Sequence, residues 1–528
     1  MNPFWENKIA SAEEMRELDR RTIEEFGIPG EVLMELAGQG VFRYLEERYP
    51  FLEDAVIFCG KGNNGGDGLV VGRYLLNRRV FATAVLLGKK DELKGDARLN
   101  LERFLKLNGE VIEIESEEQL QGLEPRLTET SLIIDAIFGT GLNSEVQGLA
   151  RKAIEFINLM IEEYGIPALA VDLPSGINAS TGEILGDAVQ AEATVTFGLA
   201  KIGHYCFPGT EYVGELEVVD IGIPADFSKA IKTLVVDQKL AFSILQPRQP
   251  DSHKGDNGHT VIFAGSPGKT GAAAMASESA LRAGAGLVTL AVPASLNDIF
   301  EVKVTEVMTE PIPDDSRKFG KISIPAAKEF IRAKDVIALG PGIGQGKEVD
   351  QFVKEILLSA TAPLVVDADG LNSLANQMEL LKKIQAPLIL TPHPGEMSRL
   401  SGLKTPEIQN DRVGVARKFA REWQAIVVLK GARTVIASPF GEVYLNLSGN
   451  PGMASAGMGD VLFGIIAGLL SQKYEPVDAA VLGVYLHGKA GDLALKELGG
   501  IGIIASDLIK KIPAAGKWLF DQYFGKEE

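Results

Sequence analysis

The sequence predicts an α/β protein of two successive domains, each built on a largely parallel sheet covered by helices. Three observations carry this. At 528 residues the chain is well beyond the ~150 residues of a typical domain. Short, almost continuous apolar runs alternate with helical stretches, as in parallel sheets buried on both faces. The rhythm breaks near residue 220, and a Pro-containing stretch then precedes a second series of the same kind.

The elements follow in order. Residues 11–26 read as a helix: Ser11 and Glu14 form a capping-box pattern, and Met15, Leu18, Ile23 and Phe26 can share one buried face. Strands are expected at 55–59, 82–87, 132–138, 168–173 and 193–198, with 218–224 as the last strand of the first domain. Residues 232–255 read as a strand and a helix running into a Pro-rich link. The second series has strands at 260–265, 286–293, 335–342, 362–369, 386–396 and 425–431. The domains are therefore set at 1–225 and 251–528, with 226–250 as linker.

Composition removes several function classes. Lys and Arg total 53 against 71 Asp and Glu, a formal net charge of −18. That argues against a general nucleic-acid binder, whose affinity comes largely from neutralised phosphates. Two cysteines, Cys59 and Cys206, are too few for a disulfide framework or a four-Cys metal site and fit a reducing compartment. Residues 1–21 lack the apolar core of a signal peptide, and no window reaches the ~20 apolar residues of a membrane span. A soluble cytoplasmic protein with no membrane partner is expected. Glycine, at 58 residues, is in excess and marks tight turns and backbone-lined ligand sites.

The first chemical feature is GKGNNGGDG at 60–68, directly after a strand. Gly60, Gly62 and Gly65 satisfy G-x-G-x-x-G ahead of a helix, whose free N–H groups favour phosphate. A tight turn that merely packs helix on strand satisfies the same pattern. The acidic residue that usually binds a ribose is missing, because the second strand runs into Gly88-Lys89-Lys90; an ordinary NAD dehydrogenase is not expected. Asn63, Asn64 and Asp67 add amide oxygens and a carboxylate beside bare backbone, suited to phosphate, ribose or a monovalent cation. Asp135 and Asp172 end two further apolar strands, followed by Gly139-Thr140-Gly141 and Pro174-Ser175-Gly176. Ligands of open α/β sheets sit beyond the carboxyl ends of the strands, so these three segments converge.

In the second half, GNPGMASAGMGD at 449–460 leads into an apolar helix. The N–H groups of 457–460 can form an anion hole reinforced by the helix dipole, and Asp460 can act as base or acid toward a hydroxyl. Lys430 follows a strand and precedes Gly431, within reach of a phosphate. His393, between two prolines at a strand mouth, reads as a ligand contact. Asp367 and Asp369 end another strand near metal or phosphate, and Gly340-Pro341-Gly342-Ile343-Gly344 is a further loop of close backbone approach.

GNNGGDG, DAIFGTG, VDLPSGI and TFGLAKIGHYCFPG resemble, in order, the YjeF N-terminal domain, the NAD(P)H-hydrate epimerase family, over most of residues 11–225. The resemblance implies a Rossmann-like three-layer domain that interconverts the R and S forms of hydrated NADH and NADPH (NADHX and NADPHX). It implies K+ held by Asn64, Asp135 and Ser175. The hydrated nucleotide would contact Asn63, Asn64, Gly65, Gly66 and Asp67, the loop Gly139, Thr140, Gly141, Leu142, Asn143, Ser144 and Glu145, and Asp172. Asp172 is the candidate for acid/base work at the epimerised carbon. Lys201 and His204 are assigned only to the pocket wall.

DSHKGDNGHTVIFAGS, TGAAAMAS, ALGPGIG, VVDADGLN, LTPHPGE, VLKGARTVI, GNPGMASAGMGD and VYLHGKAGD resemble the YjeF C-terminal domain, the ADP/ATP-dependent NAD(P)H-hydrate dehydratase, over about residues 251–510. This implies a ribokinase-like α/β domain. In it Lys430, Gly431, Ala432, Arg433, Thr434, Gly457 and Gly459 would hold ADP or ATP with Mg2+. Ala273, Gly342, Gly344, His393 and Asp460 would contact the S-hydrate. The expectation is a bifunctional, homo-oligomeric isomerase and lyase. The alternative is a ribokinase-class small-molecule kinase with an accessory nucleotide-sensing domain.

Overall fold

The computed structural model describes residues 7–375 and 377–524. The chain divides after Lys232 into two units. The strands of the first are β1 (Ile9–Ala10), β2 (Asp54–Cys59), β3 (Phe81–Leu87), β4 (Glu110–Ile114), β5 (Ile133–Ala136), β6 (Ala168–Val171), β7 (Ala193–Phe197), β8 (Ala200–Lys201) and β9 (Glu215–Val219). Seven form one sheet in the order β4-β3-β2-β5-β6-β7-β9, parallel throughout. Side chains alternate along β2 and build two cores. Ala55, Ile57 and Cys59 face helices Gly30–Arg48 and Asn63–Asn77, while Val56 and Phe58 face helix Gly148–Tyr164. The result is three layers, as expected. Strand order reverses between β2 and β5, which opens a crevice at their carboxyl ends.

Two expectations change in this unit. The capping box at Ser11 and Glu14 is present, but its helix is Ala12–Arg21, followed by a π-turn over Thr22–Phe26. The wider turn shifts the buried face. Thr22 moves inside, while Ile23 and Phe26 are exposed, Phe26 meeting Phe227 edge-on at 6.4 Å. The last strand lies at Glu215–Val219 rather than 218–224, because its pairing with β7 ends at Val219. The apolar residues beyond it, Ile221 and Ile223, are buried in the core without extending the strand.

The second unit contains β10 (Thr233–Val236), β11 (His259–Phe263), β12 (Leu287–Pro293), β13 (Met308–Ile312), β14 (Val336–Leu339), β15 (Leu364–Val366), β16 (Leu388–Leu390), β17 (Ile426–Leu429), β18 (Val435–Ala437) and β19 (Val443–Asn446). They form one sheet in the order β10-β19-β18-β17-β16-β15-β14-β11-β12-β13. All neighbours are parallel except β18, which is antiparallel to both of its own. Residues 226–250, set as linker, are therefore largely structured. β10 is an edge strand of this sheet, and Val236 with Ala241 of the next helix joins its core. Here too the order reverses, between β11 and β14.

Helix Met458–Ser471 packs on helix Thr270–Arg282 at backbone distance. A Cβ on Gly464 would collide with the Ala276 carbonyl oxygen, and one on Gly468 with that of Ala280. The contact fixes where the first turn of the later helix, with Asp460, emerges. We expect Gly464→Ala to destabilise this unit by about 1–3 kcal/mol through overpacking. The check is a lower urea midpoint at unchanged m-value.

Candidate active sites

In the first unit β2 ends at Cys59 and the chain turns through Gly60 into helix Asn63–Asn77. A Cβ on Gly60 would strike the Ile137 carbonyl oxygen, and one on Gly65 the Gly60 carbonyl oxygen. Glycine there lets helix, loop and the end of β5 lie in contact. Asn64 is buried at this junction, and among the described residues neither its Oδ1 nor its Nδ2 has a hydrogen-bond partner. Beside it lies Gly139: a Cβ there would be 3.3 Å from Asn64 Oδ1 and 2.8 Å from Asp172 Oδ2. Asn63 is exposed at the helix start, whereas Gly65, Gly66 and Asp67 are buried.

Asp135 is fully buried within β5 and holds the loop after β6. Its Oδ1 accepts from Ser175 Oγ at 2.6 Å and its Oδ2 from Ser175 N at 2.7 Å; Phe138 N donates to Ser175 Oγ at 2.8 Å. Burial pushes the Asp135 carboxyl up to about 6 against those hydrogen bonds.

Asp172, the residue after β6, adopts φ +67°, a left-handed conformation that costs a non-glycine residue about 1–3 kcal/mol. Its surroundings hold it there. Lys201 Nζ donates to Oδ1 at 2.6 Å, Thr196 Oγ1 donates to the same oxygen at 3.0 Å, and Thr140 N reaches Oδ2 at 3.3 Å. His204 Nδ1 accepts from Lys201 N at 2.9 Å, so its Nε2 carries the proton and donates to the Asp172 carbonyl at 3.0 Å. Burial would raise the Asp172 pKa, but Lys201 outweighs it and holds the carboxyl below its usual range. Burial pushes His204 down to about 3, so it is neutral. Lys201 and His204 thus do more than line a wall; they set the charge and position of Asp172. Their signal in the sequence is the polar KIGH directly after an apolar strand. Of the loop 139–145, Gly139 and Thr140 reach Asp172, Leu142 packs inward, and Gly141, Asn143, Ser144 and Glu145 are exposed on the rim.

In the second unit Lys430 follows β17 and is largely buried. Its Nζ lies 2.6 Å from Asp367 Oδ1 and 3.6 Å from Glu396 Oε2. Burial would lower its pKa, but these two carboxylates keep it raised and charged. Gly459 opens beside the pair: a Cβ there would be 3.5 Å from Lys430 Nζ. Gly457, at φ +89°, caps helix Met458–Ser471. His487 Nε2 lies 3.0 Å from the Met458 carbonyl and braces that first turn. Asp460 stands in it, its pKa pushed up to about 7 by burial and by Asp367 and Glu396, with Lys430 opposing.

Asp367 and Asp369 diverge: Asp369 pairs with Lys269 at 2.8 Å and accepts from Gly344 N at 3.0 Å, tying the GPGIG loop to the loop after β11. Gly342 packs on Lys269, and Ala273 is fully buried with its Cβ 3.5 Å from where one on Gly265 would lie. His393 caps helix Pro394–Ser401: its Nδ1 accepts from Gly395 N at 3.0 Å, and its Nε2 lies 3.4 Å from Glu396 Oε1. Only its exposed ring edge is left for a ligand. Gly431 and Ala432 are exposed, Arg433 donates to the Leu447 carbonyl, and Thr434 to the Gly431 carbonyl, so this run is a surface loop beside Lys430. Glu396 and Arg412, which donates to the carbonyls of Leu429 and Lys430, are neighbours the sequence reading does not single out.

Each unit therefore presents a strand-end carboxylate, a buried lysine and a glycine-opened helix start beyond the carboxyl ends of its strands. Each unit matches a known family. Residues 30–203 match the model of the YjeF-related protein N-terminus, and 260–514 that of NAD(P)H-hydrate dehydratase. The bifunctional NAD(P)H-hydrate repair enzyme of Moorella thermoacetica is 45% identical, the alignment covering 96% of each chain. That of Thermofilum pendens is 40% identical over 98% of this chain and 97% of its own. The crystal structure of the ADP/ATP-dependent NAD(P)H-hydrate dehydratase of Bacillus subtilis, co-crystallised with ATP and Mg2+, is similar at 32% identity and TM-score 0.48, covering 54% of this chain and 97% of that one. The chain belongs to the family of bifunctional NAD(P)H-hydrate repair enzymes.

The Asp172–Lys201 pair gives a direct test. Lys201→Met would leave a buried carboxylate unpaired, and we expect a loss of about 3–5 kcal/mol in unfolding free energy. Lys201→Arg, which keeps the charge, should lose less in the same denaturation experiment.

Proposed function

We propose that this chain repairs hydrated NADH and NADPH: its first unit epimerises the R and S hydrates, and its second dehydrates the S form to NAD(P)H at the expense of ADP or ATP. What carries the reading is that one chain, matched over nearly its whole length by enzymes so named, holds two separate carboxylate–lysine centres, Asp172 with Lys201 and Asp460 beside Lys430 and Asp367.

The chemistry suits each centre. Epimerisation needs a group that takes and returns a proton at the hydrated carbon, and Asp172 is held ionised at a cleft for that work. Hydroxide is a poor leaving group; once the ring hydroxyl takes a phosphoryl group from the nucleotide, it leaves as phosphate. In this reading Asp460 takes the hydroxyl proton, the N–H groups of 457–459 receive the moving phosphoryl oxygens, and Lys430 offsets their charge. The nucleotide lies along Lys430 to Thr434, and the S-hydrate between Asp460, the Gly342 and Gly344 loop, His393 and the helix carrying Ala273.

The unpartnered amide of buried Asn64, next to a loop that Asp135 and Ser175 hold, fits K+. Bound there, K+ would supply positive charge against Asp135. Among the described residues no three His, Cys, Asp or Glu side chains cluster to hold a metal alone, so Mg2+ fits as a companion of the nucleotide phosphates, where it supplies positive charge. Assembly into homo-oligomers and a cytoplasmic setting belong to the same proposal; the free, buried Cys59 supports a reducing one.

Incubating the protein with an R,S mixture of hydrated NADH, Mg2+ and ADP or ATP should restore the reduced-nicotinamide absorbance completely. Asp172→Asn should leave a fast phase for the S fraction and a slow remainder. Asp460→Asn should slow dehydration about 10²–10⁴-fold while epimerisation, followed by chromatography, continues. No recovery with either nucleotide would remove the repair reading and leave a hydroxyl kinase. Asp460 acts here as a carboxylate with a pKa of about 7, so dehydration should accelerate as pH rises through that value and then level off. A rate flat through that range would exclude Asp460 as the base.

A further inference from the structure

Two buried carboxyls share the first cleft and are held in opposite ways. Asp172 is satisfied by Lys201, Thr196 and Thr140. Asp67, on the first turns of helix Asn63–Asn77 and only 9% exposed, has no hydrogen-bond partner among the described residues. Lys201 cannot supply one, since its three N–H groups go to Asp172, Thr196 Oγ1 and the Phe197 carbonyl. A buried carboxylate without a partner is far costlier than a buried neutral acid.

The carboxylates around Asp67 act in the same direction as its burial. Burial, then Asp172, then Asp19 push its pKa well above the carboxylate range, with Lys201 opposing. Charged groups on this helix and the two packed against it pair with one another, Glu35 with Arg73 and Glu31 with Arg103. The Cys59 thiol behind it is pushed up to about 12 by burial. Asp19 comes from the N-terminal arm, outside residues 30–203 that the family model matches. The arm is fixed in place: β1 pairs with β8 so that Ala10 lies beside Lys201, Ala12 N donates to Ser180 Oγ at 2.9 Å, and Met15 packs on Gly198. The Asp19 carboxyl also has no hydrogen-bond partner among the described residues, and the π-turn begins three residues on, at Thr22. Such turns recur at functional sites.

We propose that Asp67 is the general acid of the epimerase centre, working opposite Asp172 as base, and that Asp19 is a positioning residue acting through Asp67. The assignment rests on the epimerase reading above. In the opening direction Asp172 takes the proton of the ring hydroxyl. The bond from that carbon to the ring nitrogen breaks as the carbonyl forms, and Asp67 gives its proton to the departing nitrogen. The aldehyde turns about the adjoining carbon–carbon bond. The nitrogen then attacks the other face and returns its proton to Asp67, while Asp172 returns its own to the oxygen. Both protons come back, and no redox partner is needed.

The test follows conversion of the R to the S hydrate by the full chain across pH. Asp67→Asn should lower kcat about 10²–10⁴-fold with little change in KM, and Asp67→Glu should restore part of it. The infrared difference spectrum of wild type minus Asp67→Asn at neutral pH should show a carboxylic-acid carbonyl band. Removing the negative charge in Asp19→Asn lets Asp67 lose its proton sooner, so the alkaline limb of the pH–rate profile should move to lower pH. A purely structural Asp19 would not move it. Wild-type kcat in Asp67→Asn, or a loss confined to KM, would overturn the acid assignment, and an unmoved alkaline limb would overturn the role of Asp19. A wild type with no epimerisation at all would instead overturn the functional reading, and the infrared band would still report whether Asp67 is protonated.

Discussion

A lysine that is 1% exposed needs an opposite charge beside it, and Lys201 has one in Asp172 at 2.6 Å. Much of the first unit is arranged around the pair. β1 pairs with the strand that carries Lys201, β7 supplies Thr196, and His204 braces the Asp172 carbonyl from the following turn. The pair keeps a carboxylate ionised inside a cleft and holds its backbone at a conformation it would not choose alone. Lys430 plays the corresponding part in the second unit, with two carboxylates instead of one. There burial, with the surplus negative charge, raises Asp460 instead of lowering it. Similar components therefore give a ready base in one centre and a group titrating near neutrality in the other.

The first centre sits where strand order reverses; the second lies beyond the carboxyl ends of β15, β16 and β17, with the GPGIG loop after β14 at the reversal itself. At such a point the helices that follow adjacent strands leave on opposite faces, and loops can enter the gap without displacing side chains. The glycines in these loops are required by contact: Gly60 and Gly65 close on carbonyl oxygens, and Gly457 takes a left-handed cap.

The buried strands were legible because they are apolar along their whole length, as in 55–59 and 426–429, where both faces are covered. Two of the edge strands were not. β4 reads EVIEI and β13 reads MTEPI, with polar residues where one side meets water. β18 and β19 are short and follow a loop already claimed by its glycine. Within the centres, motif residues such as Asp135, Asp172, Lys430 and Asp460 could be found from their place at strand and helix ends. Asp19, Glu396, Arg412 and His487 could not be given roles, because what matters about each is the group it meets from a distant segment. The π-turn at Thr22 was hidden for another reason: an apolar period that drifts by one residue looks, in sequence, like an ordinary helix face.

The strand β10 has a practical meaning for anyone dividing this protein. It begins at Thr233, directly after the first unit ends, and closes one edge of the second sheet by pairing with β19. A fragment begun in the Pro-rich stretch near residue 250 would keep the whole apparent catalytic domain yet lack that strand. The ladder of β19 would then be bare, a template for pairing with other chains. Such a fragment would be more prone to aggregate than to report the activity of the part it contains.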